Sequence, residues 1–138
     1  MQDNLIIMGF NAPKEHQAII THLIYGLADL YIKDKTNLFP YPETMIDEGQ
    51  TSPAPDILLY DHKKEKTIVI VEVTHTSGAK KDCGKVQTLM NDYDVDEGFV
   101  YDYKLNKWYS IGKADLDRKE GNSFCKILNL ELAGLLKS

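Results

Sequence analysis

The 138-residue chain has only two cysteines, Cys83 and Cys125, and no Cys-x-x-Cys spacing. Neither a zinc cluster nor a thioredoxin-like redox pair is indicated, and two buried or half-buried thiols in a reducing compartment is the plain reading. Cations are in deficit, with 16 Lys and Arg against 21 Asp and Glu and a net charge of −5. That argues against a protein holding nucleic acid or an anionic membrane by bulk positive charge. It leaves room for acidic side chains that present a divalent metal to a phosphate. Long apolar runs are missing: the most apolar stretch, Ile68-Val69-Ile70-Val71, is far too short to cross a bilayer. Met1-Gln2-Asp3-Asn4 places no basic segment ahead of the short apolar run at Leu5 to Phe10, so no secretory leader is expected and a cytoplasmic location is. Glycine-rich phosphate loops, dinucleotide fingerprints and the Gly-x-Ser-x-Gly elbow are absent as well. His16 and His22 do not share a helical face, so they make no paired metal-ligand motif.

What is present is ordinary globular material, 43% hydrophobic and 27% charged, enough for one domain spanning 1–138 and not for two cores. Asn11 and Pro13 read as a helix start, since Asn caps well and Pro fits a first turn. Ile20, Leu23, Leu27 and Leu30 then recur at helical spacing, which predicts a helix from Pro13 to Tyr31. Pro40, Pro42, Pro53 and Pro55 restrict strands to short pieces, with one expected around Thr44 to Asp47. Asp56 to Tyr60 reads as a strand, Asp61 to Glu65 as a polar turn, and Thr67 to Thr74 as a central strand buried on both faces. A helix follows over Ala79 to Asp92, then a hairpin of Gly98–Tyr103 and Lys107–Ile111, a strand at Ser123 to Leu128 and a short helix at Leu130 to Leu136. The order predicts an α/β fold, a mixed sheet with a crossover helix after its central strand.

Two acids stand out by position. Asp56 opens a strand behind Pro55, and Glu72 closes the most hydrophobic strand. A carboxylate there is costly to bury unless paired or metal-bound. Period-2 alternation places Ile68, Ile70, Glu72 and Thr74 on one face. Hairpin arms of equal length bring position 56 opposite positions 70 to 72. Two converging carboxylates suit Mg²⁺ or Mn²⁺; one capping acid and one surface acid is the plain alternative.

Pro55-Asp56 followed by Glu72-Val73-Thr74 resembles the PD-(D/E)XK nuclease signature. A longer stretch, about Thr44 to Asp102, is similar to the Uma-two family of candidate restriction endonucleases. Glu72-Val73-Thr74-His75 matches its strand end, Asp82 stands at its downstream acid, and Val95-Asp96-Glu97-Gly98-Phe99-Val100-Tyr101-Asp102 aligns without a gap. The resemblance implies a restriction-endonuclease-like core, Mg²⁺ or Mn²⁺ held by Asp56, Glu72 and the Val73 carbonyl, and hydrolysis of DNA phosphodiester bonds. The superfamily's lysine falls at Thr74 and the Uma-two lysine at Val86, while Met90 and Asp94 replace a Tyr and a Gly. Lys85 is the nearest amine and the candidate assistant to the attacking water, with a solvated helix-face lysine as the alternative.

Asp82 is a candidate third acid, or a first-turn acid that compensates the helix dipole. Glu15, Thr74 and His75 are further candidates for the site edge, and one of Glu43, Asp47 and Glu48 could contribute. His16 shares a side with Ile20, Leu23 and Leu27 and reads as a core-edge histidine. Lys80 and Lys81 read as surface groups or phosphate contacts, and the eight tyrosines and Trp108 as half-buried sheet residues or stacking surfaces for bases. Two functions compete. One is a Mg²⁺- or Mn²⁺-dependent endonuclease working as a homodimer on DNA. The other is a module of the same fold that has lost its lysine and binds nucleic acid or a protein. A small α/β ligand-binding domain with coincidental acids is the third and weaker reading.

Overall fold

Pro13 stands at φ −57° and ψ 144°, and its carbonyl accepts the first helical hydrogen bond, from Gln17 N–H at 3.1 Å. Helix α1 therefore begins one residue later and runs Lys14–Ile32, burying Ile20, Leu23 and Leu27. The computed structural model describes residues 13–47, 49, 53–113 and 118–136. Asn11, the expected cap, and Glu48 lie outside them.

Six strands form one mixed sheet, ordered as in the chain. They are β1 (Leu38–Pro42), β2 (Ile57–Asp61), β3 (Lys66–Thr74), β4 (Glu97–Asp102), β5 (Lys107–Ile111) and β6 (Arg118–Glu120). Only β3 and β4 pair in parallel. Parallel neighbours need a crossover, and helix α2 (Ala79–Tyr93) supplies it. Asp94 stops α2 in the left-handed region at φ 53°. A two-stranded sheet, β7 (Phe124–Cys125) with β8 (Leu130–Glu131), and a 3₁₀ turn at Leu132–Leu136 close the chain. Glu97 anchors this end by accepting the N–H groups of Lys126 and Ile127 at 2.8 and 2.9 Å. The expected α/β class is thus observed. No helix among the described residues is long and apolar enough to cross a membrane.

Each face of the sheet carries its own apolar layer. On one, Ile20, Leu23 and Leu27 of α1 pack with Ile57, Leu59, Val69, Val71, Val73, Phe99 and the closing Leu132. On the other, Cys83, Val86, Leu89 and Met90 of α2 pack with Leu58, Ile70 and Val100. β3 is buried along nearly its whole length because it is covered on both sides.

Three expectations are corrected. The strand placed at Thr44 to Asp47 lies earlier, at Leu38–Pro42, and contains two of the prolines. An outermost strand tolerates proline because its outward N–H has no sheet partner to lose. Along that outer side Leu38 N–H goes to Thr36 Oγ1 at 3.2 Å, and Pro40 and Pro42, the next positions on the same side, have no N–H. Second, Ile68 does not share the face of Ile70 and Glu72. The register shifts between Leu59 and Tyr60, and Ile68 turns toward α1 with Val69. Third, the strand expected over Ser123 to Leu128 shrinks to Phe124–Cys125, because Lys126 and Ile127 turn back onto Glu97.

Candidate active site

The β2–β3 register pairs Ile57 with Val71, which sets Asp56 beside Glu72. The two acids then lock each other in place through the opposite strand's backbone. Asp56 N–H donates to Glu72 Oε1 at 2.6 Å, and Val73 N–H donates to Asp56 Oδ2 at 2.8 Å. The Asp56 carbonyl also accepts from Glu43 N–H at 2.9 Å. The hairpin thus delivers both carboxylates to one end of the sheet with their orientations fixed.

Lys85 reaches this end from α2. Its neighbours Cys83, Val86, Leu89 and Met90 are buried against the sheet, leaving Lys85 on the flank of the packed stripe. Its Nζ donates to Glu72 Oε2 at 2.8 Å and to the Ala54 carbonyl at 3.0 Å. Thr74, where the superfamily carries its lysine, is buried, and its hydroxyl donates to the His75 carbonyl at 3.2 Å. The amine beside Glu72 is therefore that of Lys85, from the adjacent helix.

His16 completes the cluster from the opposite helix. It heads the buried stripe of α1, one turn ahead of Ile20, and its ring meets Tyr103 edge-on at 6.2 Å. Nε2 lies 2.8 Å from the Val73 carbonyl and 3.4 Å from Asp56 Oδ2. A carbonyl oxygen can only accept, so Nε2 carries a proton in this geometry. The Asp56 hydrogen bond, against the cost of burial, holds the His16 pKa above 6.5. The expected core-edge position agrees with this half-buried placement, while its contacts to Val73 and Asp56 were not anticipated. The available signal was a titratable side chain at the first position of an otherwise apolar stripe.

Burial and then the neighbouring Asp56 charge push the Glu72 carboxyl up to about 7, against the opposing pull of Lys85. A buried acid with that bias is a carboxylate short of positive charge. A divalent ion fits such a site on chemical grounds, because the donors are carboxylate, carbonyl and imidazole. Among the described residues no group of three His, Cys, Asp or Glu side chains stands ready as a ligand set. Both Glu72 oxygens are turned to Asp56 N–H and to Lys85 instead.

The other candidates are placed as follows. Glu15 is exposed and pairs with Lys104 at 3.1 Å, so the first helix offers its histidine and not its acid to the cluster. Asp82 sits in the first turn of α2 beside Gly78. His75 is exposed, its Nδ1 2.8 Å from Ser77 Oγ. Glu43 contributes its backbone N–H to Asp56 and leaves its side chain exposed. Asp47 Oδ1 caps Gly49 N–H at 3.0 Å in a local turn. Lys80 and Lys81 are exposed. Cys83 and Cys125 are both free and buried, and burial pushes the Cys125 thiol up to about 12, so it is inert packing.

Neither a protein-family model nor a curated protein sequence matches this chain. Solved structures do. The fold is similar to that of a candidate nuclease of family DUF820 from Anabaena variabilis ATCC 29413, with a TM-score of 0.68 at 10% identity over 90% of this chain and 81% of that one. It is also similar to part of the type IIG restriction endonuclease BpuSI, with a TM-score of 0.53 at 13% identity over 73% of this chain and 12% of that one. At such identities the likeness defines the architecture alone. The chain has the restriction-endonuclease-like fold.

Proposed function

We propose that the protein is a metal-dependent endonuclease that hydrolyses DNA phosphodiester bonds, with Asp56, Glu72 and the Val73 carbonyl holding Mg²⁺ or Mn²⁺ and Lys85 as the assisting amine. The observation that carries this reading is the Lys85 ammonium 2.8 Å from Glu72 at the strand end where Asp56 is also fixed. A bound divalent ion would polarise a phosphoryl oxygen and lower the pKa of a water molecule.

The chain's own groups do the rest. The Val73 N–H and the strand register hold Asp56 without a side-chain search. Glu72 is almost fully buried, so each charge interaction it makes counts for more. Lys85 brings a positive charge on a long stem that can leave Ala54 and Glu72 when substrate enters. It then orients the attacking water or offsets charge gathering on the phosphoryl oxygens. We further propose a homodimer, since each chain carries one such cluster and a duplex has two strands to cut.

The test is cleavage of supercoiled plasmid with Mn²⁺ or Mg²⁺, alongside calorimetric Mn²⁺ titration. The active parent should lose cleavage in Lys85→Ala while keeping its Mn²⁺ affinity, and Asp56→Ala should lose both. Full activity in Lys85→Ala would assign this lysine to the surface. A parent that binds Mn²⁺ yet cuts nothing would favour the degenerate binding module.

A further inference from the structure

We infer that an aromatic cleft beside the acidic cluster binds one nucleobase of the substrate strand, turned out of its stack, so that the favoured substrate is DNA with an unpaired base next to the phosphate to be cut. The inference rests on the nuclease reading above and deepens it. α2 packs over β3, β4 and β5, and Ile46, after β1, continues the same apolar layer over the β1–β2 flank. There a cleft of about 310 Å³ opens, bordered by Tyr41, Met45, Leu58, Tyr60, His62 and Thr67. Asp56 stands just ahead of β2, and Leu58 and Tyr60 follow it at alternate positions, so the cleft and the acids share one face of the sheet. Tyr41 lies directly opposite Leu58, and Thr67 opposite Tyr60. Leu58 is two strand residues beyond Asp56, about 7 Å. A nucleotide whose phosphate sits at Asp56, Glu72 and Lys85 therefore has the cleft within reach of its own or its neighbour's base.

Rings kept only for packing are covered. Here Tyr41 and Tyr60 stay half-buried, and His62 and Met45 are exposed. The rings also hold one another in place. Tyr60 meets His62 edge-on at 4.9 Å and Tyr41 at 6.3 Å, and the Tyr41 hydroxyl shares a hydrogen bond with His62 Nε2 at 3.1 Å. A wall of rings already fixed loses little freedom when one more flat ring joins it. Stacking of this kind accepts any base, because every base has a π-face. The volume suits one planar ring system, whereas a helix or strand of a protein partner needs a longer groove. A base inside a duplex is stacked on both sides and must first leave the helix, at least cost where it is mismatched or single-stranded. The excess of acidic over basic side chains points the same way, since stacking holds a strand without a dense set of phosphate contacts.

Photocrosslinking tests this apart from cleavage. The full chain carrying Lys85→Ala, with Mn²⁺, is irradiated with a short oligothymidylate containing iododeoxyuridine, and the attachment points are read by mass spectrometry. Attachment at Tyr41, Tyr60 or His62 is expected. Tyr41→Leu and Tyr60→Leu, which keep apolar volume and whose folding is checked by melting, should each weaken binding of the strand about tenfold while leaving Mn²⁺ affinity unchanged. A fully paired duplex should compete less well than the single strand, and equal competition would overturn the requirement for an unpaired base. Attachment only elsewhere, or unchanged strand binding in both variants, overturns the inference, and plasmid cleavage by the parent would then leave the nuclease reading standing with the cleft as packing. Attachment at these rings in a protein whose parent cuts nothing upholds the base site and removes the nuclease reading.

Discussion

Glu72 carries the electrostatic tension of the site. Its folded-state pKa near 7 exceeds the ordinary 4.5, so the folded protein binds that proton more readily than the unfolded chain. Its contribution to stability is therefore full below about pH 4.5 and lost as the pH climbs toward 7. His16, raised above 6.5 first by its Asp56 hydrogen bond, adds stability below 6.5 that is lost as the pH rises through its folded value. Both slopes run the same way, and the groups facing them are Asp56 and Lys85. Melting of the metal-free protein should decline across this window. Glu72→Gln should flatten the part between pH 4.5 and 7, checked by calorimetric melts in matched buffers. An unchanged slope would mean that Glu72 is not buried as described. Asp56 and Glu72 were legible in the sequence because a strand boundary and a hairpin count suffice to bring them together. His16 was not, because its helix is remote in the chain and only the packing angle of α1 decides which donors it meets.

At the scale of elements, the seating of α2 on β4 depends on Gly98. A Cβ there would stand 2.5 Å from both Met90 Sδ and Val86 Cγ1. Gly98→Ala should cost about 1–3 kcal/mol by overpacking. Val86→Ala should cost stability alone, yet the double variant should lose less than the sum, because the two sites share one space. Denaturant melts of the four proteins check this, and strict additivity would place the helix farther from the strand. The same seating holds Lys85 against Glu72, so cleavage should fall in Gly98→Ala as well. Helices and central strands were readable here because their apolar periods are strong. β1 was misplaced because its prolines argue against a strand everywhere except at an edge. β6 went unseen because Arg118, Lys119 and Glu120 are all exposed and show no pattern.

For the whole molecule, an ion held as proposed by Asp56, Glu72 and the Val73 carbonyl would tie the start of β2 to the end of β3 and should stabilise the fold by mass action. Free Mn²⁺ at about one hundred times its dissociation constant is worth about 2.7 kcal/mol, which raises the melting temperature by several degrees in a domain of this size. Differential scanning fluorimetry with and without Mn²⁺ reads the shift. It should vanish on adding a chelator and in Asp56→Ala, and a shift that survives Asp56→Ala would locate the ion elsewhere. With a net charge of −5 the chain has no bulk positive charge to hold a phosphate, so the proposed ion would have to supply that attraction.

The outer side of β1 has a consequence for how this molecule meets its copies. One outward donor is spent on Thr36 and the two proline positions have none, so a stranger strand approaching that side finds no N–H to pair with. The opposite border, β6, is three residues long and wholly charged. Both flanks refuse templated growth, which is how sheet proteins escape fibre formation at high concentration. Growth of the six-stranded sheet from one copy into the next is therefore disfavoured at both of its described edges.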